Sequence, residues 1–242
     1  MPTITSKKPA RSPARVPRTD GSATRQHLLE TAGQVFAERG LAAGTSKEIC
    51  ERAGTPLASV NYHFGSREAL YEAVLIEAHG QLVALDDLLA MTRALPDARA
   101  KVRAIVGHLA GIANRGDTPW GFRVMLREVM SPSAAMPALA DKAVRPKAAL
   151  VLGLVGELMQ LPPSHPAVQR GVMFTILPCI AMMLAPRQLT GVLLPEAGRD
   201  TAGQVADFIE YTLAGLDALA AAHRAMPPTA GKPPARRARP AR

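Results

Sequence analysis

The chain has 242 residues, 48% of them hydrophobic and 4% aromatic, with a formal net charge of +9 and two cysteines. That length accommodates one small and one medium domain, and Cys50 and Cys179, far apart and both in apolar surroundings, exclude a disulfide framework or zinc cluster and fit a reducing cytoplasm. The charge sits in the tails: residues 1–25 and 226–242 each carry +5, which leaves −1 for residues 26–225, so the basic balance says little about any surface of the folded body.

Few segments show the β-branched alternation of strands, and apolar residues recur at helical spacing, so the predicted fold is all-α. Residues 1–21 and 226–242 are rich in Pro, Ala, Lys and Arg and poor in large apolar side chains, which predicts disordered basic tails. Each reads either as a solubilising extension or as a phosphate-contacting arm, and the N-terminal one is the better arm because it abuts the first helix. The first residues hold no apolar signal-peptide core, and the longest apolar run, Gly171 to Ala185, is too short to span a bilayer and contains Pro178.

The first helix is expected from Ser22 or Thr24 to Arg39, with Leu28, Ala32, Val35 and Phe36 on one stripe and Gly40 and Leu41 closing it. Thr45 and Glu48 then spell a T-x-x-E capping box, in which the hydroxyl accepts from the Glu48 amide while the carboxylate reaches back. That opens a second helix carrying Ile49, Cys50 and Ala53, which Gly54 ends by tolerating positive φ. Thr55 and Pro56 read as N-cap and N1 of a third helix running to Phe64. Leu57, Val60 and Phe64 would face inward, leaving Ala58, Ser59, Asn61, Tyr62 and His63 outward. Those outward types suit a DNA groove, since small residues permit close approach, Asn can bridge an adenine edge, and Tyr and His can reach phosphate. Gly65 ends this helix and Ser66 caps the next.

A long helix from Ser66 to about Met91 is expected to join this region to the remainder. Further helices are predicted over 97–114, 119–130, 135–160, 166–185 and 200–223, punctuated by Gly116, Pro132, Pro162-Pro163 and Gly191. Pro137 and Pro146 subdivide the 135–160 segment, and Pro178 bends the next. On the 119–130 helix, Phe122, Met125, Leu126 and Val129 share one side and Trp120, Arg123 and Arg127 another. The pattern reads as ordinary core packing or as a pocket lined by adaptable Met side chains with an Arg for an anionic group. The pocket candidates are Trp120, Arg123, Met125, Arg127, Met159 and Phe174. The last two helices show wide apolar faces, such as Val172, Ile176, Ile180 and Met183 or Val205, Phe208, Ile209 and Leu216, more than one core can cover.

Between Arg25 and Tyr71 the ordered set Phe36, Ala37, Gly40, Thr45, Ile49, Ala53, Gly54, Val60, His63, Phe64, Arg67, Glu68 and Leu70 resembles the tetracycline-repressor (TetR) family of one-component regulators. Two positions depart from it: Asn61 stands where Tyr is common and Pro56 where Ser is common, and both bear on base preference. The wording VNYHFGSREALY, with REVMSP and Arg145-Pro146 later, is similar to the branch with a CecR-type C-terminal domain. The resemblance implies a three-helix helix-turn-helix DNA-binding domain over 22–70 and a helical ligand-binding and dimerisation domain over 71–225. It implies pairing of the last two helices with their copies in a homodimer, a near-palindromic double-stranded DNA operator, and a small-molecule effector, most simply one that releases a repressor. It makes Arg67 a phosphate contact, the alternative being a solvated charge. Thr45, Ser59, Asn61, Tyr62, His63 and Arg67 are the DNA-binding candidates, with Asn61 the base reader.

Six scattered histidines form no H-x-x-x-H or H-E-x-x-H, and there is no phosphate-binding loop, dinucleotide fingerprint or nucleophile elbow. No metal, cofactor, catalytic residue or membrane partner is expected.

Overall fold

The computed structural model describes residues 19–114, 119–184, 191–197 and 199–224. Both tails and Gly116 lie outside them. Among the described residues the secondary structure is helical and no strand occurs. The chain divides into two compact units, Met1–Val74 and Leu75–Arg242.

The first unit contains α1 (Thr19–Ala43), α2 (Ser46–Ala53), α3 (Ser59–Phe64) and the start of α4 (Arg67–Leu82). Leu28, Ala32, Val35 and Phe36 of α1 are fully buried with Ile49, Val60 and Leu70, and the Phe36 ring meets Tyr71 edge-on at 5.0 Å. Phe36 thus has the core role its stripe predicted, and its truncation to Ala would cost about 3–5 kcal/mol. Gly40 does take a positive φ of 74°. With ψ at 173° the chain leaves the helical region at Gly40, as expected, and a short further turn to Ala43 follows beyond that kink. Gly44 follows because a Cβ would come within 2.7 Å of the Phe36 ring.

The second unit contains α5 (Leu85–Arg93), α6 (Ala98–Asn114), α7 (Trp120–Met130), α8 (Met136–Leu139), a π-turn (Ala140–Val144), α9 (Arg145–Met159), α10 (Pro166–Leu184) and α11 (Thr201–Arg224). Helix α6 packs on α9, α10 and α11, around a core that includes Val102, Val106, Val155, Met159, Val168 and Leu213. Asp97 caps α6 through a 2.8 Å bond from the Ala100 amide, and α7 crosses α4 so closely that a Cβ on Gly121 would lie 2.9 Å from the Ala78 Cα.

The single helix expected from Ser66 to Met91 breaks at Val83-Ala84, where Ala84 is extended and α5 begins with Asp86 and Asp87 in its first turn. Two carboxylates facing four unpaired amides stabilise a new helix start, which favours the break. The 135–160 segment divides at its prolines, with Pro146 near the start of α9. Within α10, Pro178 cannot donate to the Phe174 carbonyl, and Thr175 and Cys179 bond back to the carbonyls four residues earlier, at 2.8 and 3.3 Å.

The stripe Val172, Ile176, Ile180 and Met183 lines a cavity that opens to the surface at Ile180, and Leu216 is buried in the core. The exposed apolar residues are Met173, Phe174, Leu177 and Ile180 on α10 and Tyr211 on α11, and Met173 and Leu177 also border the cavity. The 18-residue window Pro166–Met183 has a mean hydropathy of 1.3, 28% of it buried, so by length and composition alone α10 is long enough to cross a membrane. The apolar run counted from Gly171 fell short of this because α10 already starts at Pro166.

Candidate nucleic-acid interface and effector cavity

Helix α2 starts as its cap predicts: Thr45 is extended and its Oγ1 accepts from the Glu48 amide at 3.2 Å. The reciprocal half of the box does not form. Glu48 instead meets Arg52 at 2.6 Å and Arg39 at 3.5 Å, while Arg52 also donates to Glu38 at 2.8 Å, so charge-assisted bonds between α1 and α2 outcompete the back-bond. Gly54 sits in the left-handed region (φ 64°, ψ 30°). Its amide reaches the Glu51 carbonyl at 3.3 Å and the Thr55 amide reaches the Cys50 carbonyl at 2.9 Å, the paired bonds of a Schellman end.

The reader helix departs from its expected start. Residues from Pro56 form a turn closed by the Ser59 amide on the Pro56 carbonyl at 2.9 Å, and α3 begins only at Ser59, with no side-chain cap. Thr55 is therefore not its N-cap, and its Oγ1 is buried without a hydrogen-bond partner. With residue 57 in the turn, Leu57 is 61% exposed and its carbonyl accepts from the Cys50 thiol, instead of packing inward with Val60. Phe64 is half-buried, with the Arg25 guanidinium 4.6 Å above its ring.

On the outer side Asn61 and Tyr62 are exposed, Tyr62 by 83%, whereas Ser59 and His63 are half-buried, and the Tyr62 and His63 rings meet edge-on at 4.9 Å. Ser66 caps α4 through the Ala69 amide at 3.0 Å. Arg67 donates from one terminal nitrogen to the carbonyls of Leu41 and Gly44, at 3.1 and 3.2 Å, and from Nε to Glu68 at 3.4 Å. Its guanidinium therefore holds the α1–α2 loop in place, with its other terminal nitrogen on a half-buried side chain.

In the second unit, α4, α5, α6, α9 and α10 line a cavity of about 330 Å³ whose wall includes Leu82, Leu88, Ile105, Val151, Ile176 and Met183. Two polar side chains interrupt this wall. The Lys147 ammonium donates to His79 Nδ1 at 2.7 Å, with the His79 carbonyl at 3.4 Å. Burial, and then the neighbouring ammonium, pushes the imidazole down to about 4, and burial lowers Lys147 as well. Cys179 lines the same cavity, and burial pushes its thiol up to about 11.

None of the six side chains predicted for a pocket lines this cavity. Met159 is in the helical core, Trp120 and Met125 are half-buried on α7, and Arg123 and Arg127 are exposed on that helix. Phe174 borders an adjoining groove of about 930 Å³ between α10 and α11, which shares Met173 and Leu177 with the cavity. His79 and Lys147 were missed because 68 residues separate them and neither belongs to a local motif.

Residues 28–74 match the family of bacterial regulatory proteins named tetR, and residues 98–219 match the C-terminal domain of the HTH-type transcriptional dual regulator CecR. The HTH-type transcriptional repressor KstR2 of Rhodococcus jostii is 36% identical over 89 residues, 35% of this chain and 41% of that protein. The chain thus spans about two fifths of the length of that curated relative. A TetR-family regulator from Streptomyces coelicolor aligns over 81% of this chain and 97% of its own, with a TM-score of 0.59 and 20% identity. FadR of Bacillus subtilis, solved with stearoyl-CoA, aligns over 78% and 98%, with a TM-score of 0.59 and 15% identity, a likeness of fold. With one match on the helix-turn-helix and another covering half of the chain through the helical bundle, the protein belongs to the TetR family of transcriptional regulators, in the branch with a CecR-type C-terminal domain.

Proposed function

We propose that the protein is a homodimeric, ligand-responsive repressor that binds a near-palindromic operator and leaves it when a small molecule enters the second unit. The proposed domains are residues 22–70 for DNA and 71–225 for effector and partner, with Thr45, Ser59, Asn61, Tyr62, His63 and Arg67 at the DNA face. The observation that carries this reading is the outward face of α3, where Asn61 and the 83%-exposed Tyr62 stand on a helix anchored by fully buried Val60. An exposed amide and phenol on a rigid short helix match what reading base edges and phosphates requires.

The cavity supplies the second half. Helix α4 begins at Arg67, directly after the reader helix, and ends with His79 and Leu82 in the cavity wall. A ligand that binds two positions of this helix unequally shifts their populations, and with them the spacing of two readers. KstR2 is named a repressor and the FadR structure holds stearoyl-CoA. Carried here, those facts favour repression and an apolar effector.

The test is a titration of the protein on a fragment of its own promoter and on unrelated duplex at physiological salt. Affinity at least a hundredfold higher for the promoter is expected, and equal affinity for both would overturn the reading.

A further inference from the structure

The cavity of about 330 Å³ lies at the small end of the roughly 300–1,000 Å³ typical of ligand sites. Hydrocarbon walls of this kind favour an apolar body, but they disfavour a bare ammonium. Transfer of an unpaired cation out of water is costly, so buried charges are normally paired. Among the described residues, Lys147 makes no ion pair with a carboxylate; its contacts are the imidazole and the carbonyl of His79. Neither neutralises the charge.

His79 gives that ammonium a direction. Because Nδ1 accepts from Lys147, the neutral ring carries its proton on Nε2, which makes the imidazole a second donor. The cavity wall thus carries one half-buried positive charge without a carboxylate partner, and no carboxylate among its lining residues to repel an anion. A covalent electrophile is the less suitable guest, because the Cys179 thiol is held protonated and is a poor nucleophile.

Resting on the reading of this cavity as the effector site, we propose that its ligand is a compact apolar acid, whose anionic head pairs with Lys147 while its body fills the space bounded by Leu88, Ile105, Val151 and Ile176. His79 is a positioning residue that holds the ammonium at the cavity wall. The discrimination is electrostatic: a neutral molecule of the same shape leaves the ammonium unpaired, and a cation meets it directly.

A matched pair of fluorescent probes tests this, 8-anilinonaphthalene-1-sulfonate and its sulfonate-free parent N-phenyl-1-naphthylamine. The wild-type protein is expected to bind the sulfonate at least tenfold more tightly than the parent. Lys147→Met should bring that ratio to about one, and His79→Phe should reduce it. Ile176→Trp, which fills the cavity, should remove both probes; Val172→Phe serves the same purpose if the tryptophan variant melts early. A ratio near one in the wild type, or one that Lys147→Met leaves intact, would overturn the acid while the filling variants still uphold the site. Undiminished binding of both probes to a folded, filled variant would overturn the site itself.

Discussion

Asn61 and Arg67 lie six positions apart, yet one side chain faces solvent and the other bonds to the protein's own backbone. Asn61 is exposed on the reader helix, so its amide is free to form paired hydrogen bonds with a base edge, and Asn61→Ala should relax preference at one position per half-site by about 1–3 kcal/mol. Competition binding against operators substituted one base pair at a time measures this, and an unchanged profile would remove Asn61 as the base reader. Arg67 instead donates to two loop carbonyls. Arg67→Ala should lower the melting temperature and weaken every DNA sequence alike, and Arg67→Lys should restore little, because an ammonium lacks the planar guanidinium that bonds both carbonyls from one nitrogen and Glu68 from Nε. A variant with native melting behaviour and a reduced salt slope would assign Arg67 to phosphate alone.

His79 yields a pH dependence at the same scale. Its folded value of about 4 lies below the ordinary 6.5, so the unfolded chain takes up this proton first. The stability it contributes is present above about pH 6.5 and is lost as pH falls toward 4. Lys147 and Cys179 are the other titratable groups in that wall; burial lowers Lys147 and pushes the Cys179 thiol up to about 11. Denaturant unfolding at pH 7.5 and 4.5 should therefore show a larger loss for the wild type than for His79→Gln, which retains an acceptor for Lys147. Equal losses would contradict the placement of the ring.

At the scale of elements, the crossing of α7 over α4 is a sensitive point. A Cβ on Gly121 would meet the backbone of Ala78 at 2.9 and 3.0 Å, and backbone cannot swing aside as a side chain can. Gly121→Ala should cost about 1–3 kcal/mol, seen as a lower denaturation midpoint with an unchanged slope. The punctuation of helices was legible wherever a single residue enforces it: Gly54 at positive φ, Ser66 as a cap and Phe36 in a stripe all act through neighbours a few positions away. The start of α3 was misread because Thr55-Pro56 has cap chemistry while the turn at Pro56–Ser59 satisfies the backbone first. The break before α5 did leave a signal in Asp86-Asp87, which the continuing apolar period of α4 obscured. The cavity left none, since His79 and Lys147 meet only when α4 and α9 pack, and helical periodicity does not specify which apolar stripe faces a void and which faces a core.

Over the whole molecule, one surface remains to be covered. Phe174, Leu177 and Tyr211 are 57%, 54% and 77% exposed along the groove between α10 and α11, and a contiguous apolar patch of this kind marks an interaction site. A second copy of the chain is the partner the proposed repressor requires, because a two-fold axis through these helices presents two α3 readers to two half-sites. Linking two weak readers raises apparent affinity by about 10²–10⁴ without any new contact. The double variant Phe174→Asp, Tyr211→Asp should therefore sediment as a monomer and lose operator affinity by that factor, although neither residue belongs to the DNA-binding unit. Probe binding in the cavity serves as the control for folding, since neither Phe174 nor Tyr211 lines it. A variant that remains dimeric, or a monomer that keeps full operator affinity, would place the subunit contact or the reading mechanism elsewhere.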